Sequence, residues 1–154
     1  MSESKTHHIM KYFVLFASIS FLWGCKPEAK AIEYGKEACD YCRMSIVDER
    51  YAAQLVNTKG KSYSFDALEC LLHYKTGHSE KWAMELVSDY QKPRHLIPAQ
   101  GAWFLRSKNL PSPMGMYLTA VANEEEAKAL QAQEGGSLYS YPELLAEFST
   151  LPAL

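Results

Sequence analysis

Apolar and polar positions along the chain fall into short alternating runs, punctuated by turn residues, and into a few stretches of helical period. YAAQLVN (51–57) and KSYSF (61–65) are rich in strand formers and flank Thr58-Lys59-Gly60, which predicts a hairpin. Asp66 stands as an N-cap before ALECLLHYK, with Gly77 just past its end, and Ala67, Leu68, Leu71, Leu72 and Tyr74 supply the apolar stripe of a short helix. WAMELVSDY (82–90) predicts a third strand. The same order then returns. GAWFLRS (101–107) and MYLTAVA (116–122) are β-rich and separated by the Pro/Gly turn NLPSPMG. Asn123 caps EEEAKALQAQEG, whose three leading glutamates suit the positive end of a helix dipole, and Gly135-Gly136 end it. SLYSY predicts a last short strand, and PELLAEF a final helix with proline in its first turn. The predicted fold class is α+β, a ββαβ unit used twice at a spacing of roughly 50 residues. Sequence identity between the halves is poor, so the duplication is read from element order.

Ahead of these elements the pattern changes. A short basic lead ending in Lys11 precedes an apolar run from Tyr12 to Trp23, the layout of a secretory signal. The run is shorter than the ~20 apolar residues of a membrane span. Its ending, Leu22-Trp23-Gly24-Cys25, resembles the bacterial lipobox, in which the cysteine thiol receives a diacylglycerol and becomes the new amino terminus; Trp23 departs from the small residue usual there. Met10-Lys11 reads as an alternative start. The expected organisation is a lipoprotein signal over 1–24, a lipidated tether over 25–36, a first ββαβ unit over 37–92, and a second unit with a carboxy-terminal helix over 93–154. The folded part is expected in the cell envelope, facing the periplasm. Lys26 in place of aspartate after the lipidated cysteine favours the outer membrane.

Charge narrows the partners. The chain carries a net charge of −2 and no pattern of basic residues that suggests nucleic acid. Cysteine narrows the chemistry. Of four cysteines, lipidation at Cys25 uses one, leaving Cys39, Cys42 and Cys70. Outside the cytoplasm thiols pair, and an odd number leaves at least one that needs another role.

The sharpest motif is Cys39-Asp40-Tyr41-Cys42-Arg43-Met44, C-x-x-C-x-M, which puts two thiols and a thioether within a single turn of chain. Soft donors select soft metals, Cu(I) foremost in a cell envelope. Two other readings compete. A C-x-x-C can be a redox pair or a disulfide staple, although here it precedes a hairpin instead of following a strand and opening a long helix as in a thioredoxin. Cys70-Leu71-Leu72-His73 supplies C-x-x-H, so Cys39, Cys42, Cys70 and His73 have the spacing of a tetrahedral structural zinc site. Cys70 sits in an apolar stretch, where a free cysteine is ordinarily a small hydrophobe. His73, His78 and His95 are assigned no role.

The lipobox, the Cys–Met motif near the amino end of the mature chain, the Phe65-Asp66 step that opens the first helix and the Pro113-Met114-Gly115 turn together resemble the NosL-type lipoproteins, which supply copper to maturing nitrous oxide reductase. The resemblance implies a duplicated ββαβ fold similar to the carboxy-terminal region of organomercurial lyase. It implies one Cu(I) held by Cys42 and Met44 with a further methionine, which matches Met114, Met116 being the rival. It also implies a carrier and not an enzyme, whose partners are the nitrous oxide reductase apoprotein or its transporter and maturation complex. Cys39 departs from members with a single motif cysteine; it is either a third sulfur ligand or a redox partner that pairs with Cys42 when metal is absent. The expected metal residues are therefore Cys39, Cys42, Met44 and Met114.

Overall fold

Each predicted run of strand formers is a strand in the computed structural model, which describes residues 26–151. The signal and the lipidated Cys25 lie outside the described residues. β1 (Ala53–Asn57) and β2 (Ser62–Phe65) form the expected hairpin, with Leu55 opposite Tyr63. Helix α1 spans Leu68–Thr76, and β3 (Trp82–Asp89) returns antiparallel on the other side of β1. All five residues of β1 are buried, as befits a strand with neighbours on both edges.

The second half forms its own sheet. β5 (Trp103–Arg106) pairs with β6 (Leu118–Val121) and with β7 (Ser137–Ser140), both antiparallel, while α2 (Glu124–Glu134) connects β6 to β7. The strand order is β2-β1-β3, with a further edge strand, in the first sheet and β6-β5-β7 in the second. α3 (Tyr141–Glu147) follows directly, with Pro142 in its first turn and a capping box between Ser140 and Glu143. Asn123 caps α2 as expected, its Oδ1 accepting the Glu126 N–H at 3.0 Å.

Two local features differ from expectation. α1 is capped at Ala67, without a side-chain bond; Asp66 is buried and its carboxylate is directed at the Val47 backbone N–H, so a tertiary contact has replaced the local cap. A further strand, β4 (Lys92–Pro98), adds to the outer edge of β3, giving the first sheet four strands and crossing the boundary read at 92/93. Pro93 and Pro98 hid it: proline cannot donate to a ladder and is tolerated on an edge strand such as this one.

The larger of two buried clusters is shared by both halves, the smaller lying under α2 in the second half. Leu55, Phe65 and Leu71 from the first pack in the same buried cluster as Phe104, Leu118, Tyr141 and Leu144 from the second. Cys39 and Cys70 belong to it as well. Residues of the segment read as a tether also lie against the domain: the Lys30 backbone N–H and C=O both bond to the side-chain amide of buried Gln54, at 3.0 Å each, and Ile32 and Tyr34 pack on the core.

Candidate metal centre

The motif residues 38–45 close into a tight loop. Ala38 bridges Ser45, the Cys39 N–H donates to the Met44 carbonyl at 2.8 Å, and the Arg43 N–H donates to the Cys39 carbonyl at 3.0 Å, with Arg43 at a positive φ of 66°. Asp40 fixes this loop to β2. Its N–H donates to the Ser64 carbonyl at 2.9 Å, and its carboxylate accepts the Ser64 N–H at 2.8 Å. The loop is thereby held over the start of α1, where Cys70 occupies the inward face of the helix.

The result is a cluster of three free thiols. The Sγ atoms of Cys39, Cys42 and Cys70 all lie within 4.8 Å of one another. An ion about 2.3 Å from each of three sulfurs sets them roughly 4 Å apart in a trigonal plane, so a soft ion fits with a contraction of less than about 1 Å. Access is one-sided. Cys39 and Cys70 are fully buried, whereas Cys42 is half-buried, and Met44 beside it is 61% exposed.

The three thiols are not equivalent. The hydrogen bond from the Cys70 thiol, helped by the backbone N–H groups of Asp66, Cys42 and Tyr41 and opposed by burial, holds Cys39 down at about 5, so it is a thiolate at neutral pH. Cys70 is pushed up, first because it donates its proton to Cys39 and then because it is buried. Burial and the neighbouring Cys39 charge push Cys42 up as well. The cluster thus stores one negative charge on a buried sulfur, Cys39.

Of the expected metal residues, Cys39 and Cys42 are brought together, with Met44 at the solvent edge of their loop. Met114 and Met116 are half-buried and pack against the same core as Cys42. The turn that carries them is fastened to α1 by Glu69, the neighbour of Cys70: its buried carboxylate takes a short hydrogen bond from Ser112 Oγ, which in turn accepts the Tyr117 N–H at 2.9 Å. Burial pushes the Glu69 carboxyl up. His73, the fourth residue of the zinc spacing, is not in the cluster. Its ring stacks on Tyr41 at 5.3 Å and meets Phe148 edge-on at 4.9 Å. Cys70 is the member that the motif alone leaves out; the signal for it was the C-x-x-H spacing, of which only the cysteine is used.

Fold and site together define a small α+β protein whose clustered thiols suit a soft metal ion. The sequence model of the NosL family matches residues 31–149, and the chain belongs to that family. Among solved structures it is similar to the crystal structure of the copper chaperone NosL from Shewanella denitrificans, with a TM-score of 0.67 and 25% sequence identity, over 77% of this chain and 96% of that one. No curated protein matches the chain.

Proposed function

We propose that this NosL-family protein is a Cu(I) carrier, lipid-anchored through Cys25 to the outer face of a membrane, that hands copper to a nitrous oxide reductase apoprotein or to the transporter assembly that matures it. The observation that carries the reading is the asymmetric thiol cluster. Two buried sulfurs grip the ion from below while Cys42 and the exposed Met44 form the only reachable edge among the described ligands, so that a partner's soft ligands can replace them one at a time. Cargo exchange of this kind breaks no bond in a substrate molecule, which makes the protein a carrier and not an enzyme. Anchoring raises the local concentration of donor and acceptor. The likeness to a copper chaperone supports the cargo, and the displacement of His73 from the cluster weighs against closed zinc coordination.

Titration of the reduced protein with Cu(I) and Zn(II) tests this. Cu(I) is expected to bind one per chain and much more tightly than Zn(II), with Cys42→Ser and Cys70→Ser each weakening it by at least tenfold and Met44→Leu slowing transfer to an acceptor more than it weakens binding. Reduced protein that ignores Cu(I) would end the proposal. Zn(II) binding that is tighter than Cu(I) and depends on His73 would replace it with the structural zinc site.

A further inference from the structure

Positive charge gathers at one end of the first sheet. Six basic residues are in ion pairs on other parts of the surface: Lys30 with Glu37, Arg50 with Asp48, Lys75 with Glu85, Lys92 with Asp89, Arg94 with Glu49, and Lys128 with Glu124. Lys59, Lys61 and Lys81 are exposed and in no salt bridge among the described residues. The β1–β2 turn places the first two side by side, its shape set by Asn57 Oδ1, which accepts the N–H groups of Lys59 and Lys61 at 3.0 and 2.9 Å. Lys81 joins them because its carbonyl accepts the Thr58 N–H at 3.1 Å. A surface recess of 270 Å³ between them is lined by Asn57, Thr58, Lys59, Glu80 and Lys81. Glu80 is the acidic group lining it; its carboxylate, held by Asn57 Nδ2 at 3.0 Å and by Tyr63 OH at 3.2 Å, feels the Lys61 charge, so three lysines stand around one carboxylate. On a chain of net charge −2 this is a local reversal of sign.

The amino-terminal segment reaches the same end. Ser62 Oγ donates to the Glu28 carbonyl at 3.4 Å, and the next contacts of the strap run along β1 at Gln54. Three residue steps separate Glu28 from Cys25, a reach of at most about 10 Å for an extended chain. Lys26 lies within that reach. A lipid on Cys25 would therefore let the Ser62 end of the sheet, and with it Lys59, Lys61 and Lys81, approach the headgroups, whose field extends roughly 8 Å at physiological ionic strength.

We propose that the sheet end bearing Lys26, Lys59, Lys61 and Lys81 rests on the anionic phospholipid headgroups of the bilayer, which turns the cysteine cluster toward the aqueous side. The direction follows from β2. The basic turn precedes Ser62, whereas the metal loop is fastened at Ser64 and just past the strand at Asp66, roughly 7 and 13 Å further along at about 3.3 Å per residue. The inference rests on the reading of Cys25 as the anchor and adds an orientation to it.

Lysine footprinting of the full-length lipidated protein in vesicles tests both separately. The protein is reconstituted in neutral phosphatidylcholine vesicles or in vesicles containing about one-third phosphatidylglycerol, treated with a water-soluble amine-acylating reagent, and mapped by mass spectrometry. Lys59, Lys61 and Lys81 are expected to label severalfold more slowly on the anionic vesicles, and 1 M salt, where the Debye length is about 3 Å, should abolish the difference, with Lys108 and Lys128 labelling alike throughout. Equal labelling of the three lysines on both vesicle types, or protection of Lys108 and Lys128 instead, would overturn the orientation alone. Protein that fails to float even with neutral vesicles would overturn the anchor and the orientation with it.

Discussion

At the scale of single residues, protonation distinguishes groups that look alike in the sequence. Cys39 is already ionised at neutral pH, whereas Cys42 and Cys70 hold their protons. Since a metal binds thiolates, Cu(I) taken up by all three sulfurs at pH 7 is expected to expel about two protons. Calorimetry in buffers of different ionisation enthalpy reads that number, and a value near zero would exclude Cys42 and Cys70 as ligands. Glu69 provides the second case. Burial raises its carboxyl in the fold, so the folded state binds that proton more tightly than the unfolded chain. The stability it contributes is present below the ordinary carboxyl range and is lost as pH rises through the raised value. Glu69→Gln keeps an acceptor for Ser112 and cannot ionise. Its denaturation midpoint is expected to gain on that of the wild type as pH rises above the ordinary carboxyl range, and a pH-independent difference would contradict the assignment.

At the scale of elements, local chemistry sets most boundaries and close approach sets the rest. The Asn123 cap is a local device, and Asn123→Ala should destabilise the protein by about 1 kcal/mol, read as a shift in urea midpoint with unchanged slope. Gly136 answers to its surroundings. Its φ is +102°, and a β-carbon there would lie 2.2 Å from the Arg106 carbonyl oxygen of β5. Gly136→Ala therefore combines a strained backbone with a clash and should cost about 3 kcal/mol, whereas Gly60→Ala, with nothing within 4 Å of the added carbon, should be milder despite its positive φ. The hairpin, α1, β3 and the second set of elements were legible because period and caps act over a few residues. β4 was not, because Lys92–Pro98 has no strand pattern of its own and exists by pairing with β3. Asp66 failed as a cap for a related reason, since the Val47 N–H that takes its carboxylate comes from a distant loop.

At the scale of the whole molecule, the cluster joins pieces that the chain keeps apart. Cys39 and Cys42 come from a loop stapled to β2 and Cys70 from α1, which Glu69 in turn ties to the methionine turn of the second half. A bound ion would cross-link these pieces, so Cu(I) at about 100 times its dissociation constant should raise unfolding free energy by ~2.7 kcal/mol, with a much smaller gain in Cys70→Ser; an unchanged melting profile on metal addition would contradict a site shared between elements. The sequence by itself determined the α+β class, the order of elements and a soft-donor motif, because periodicity, capping and donor type are properties of neighbouring residues. The tertiary structure decided that Cys70 joins the motif cysteines while His73 turns away to stack on Tyr41, and that the supposed tether lies pinned across β1. Those outcomes depend on which surfaces meet when both halves bury a shared core, and no local pattern along the chain encodes that meeting.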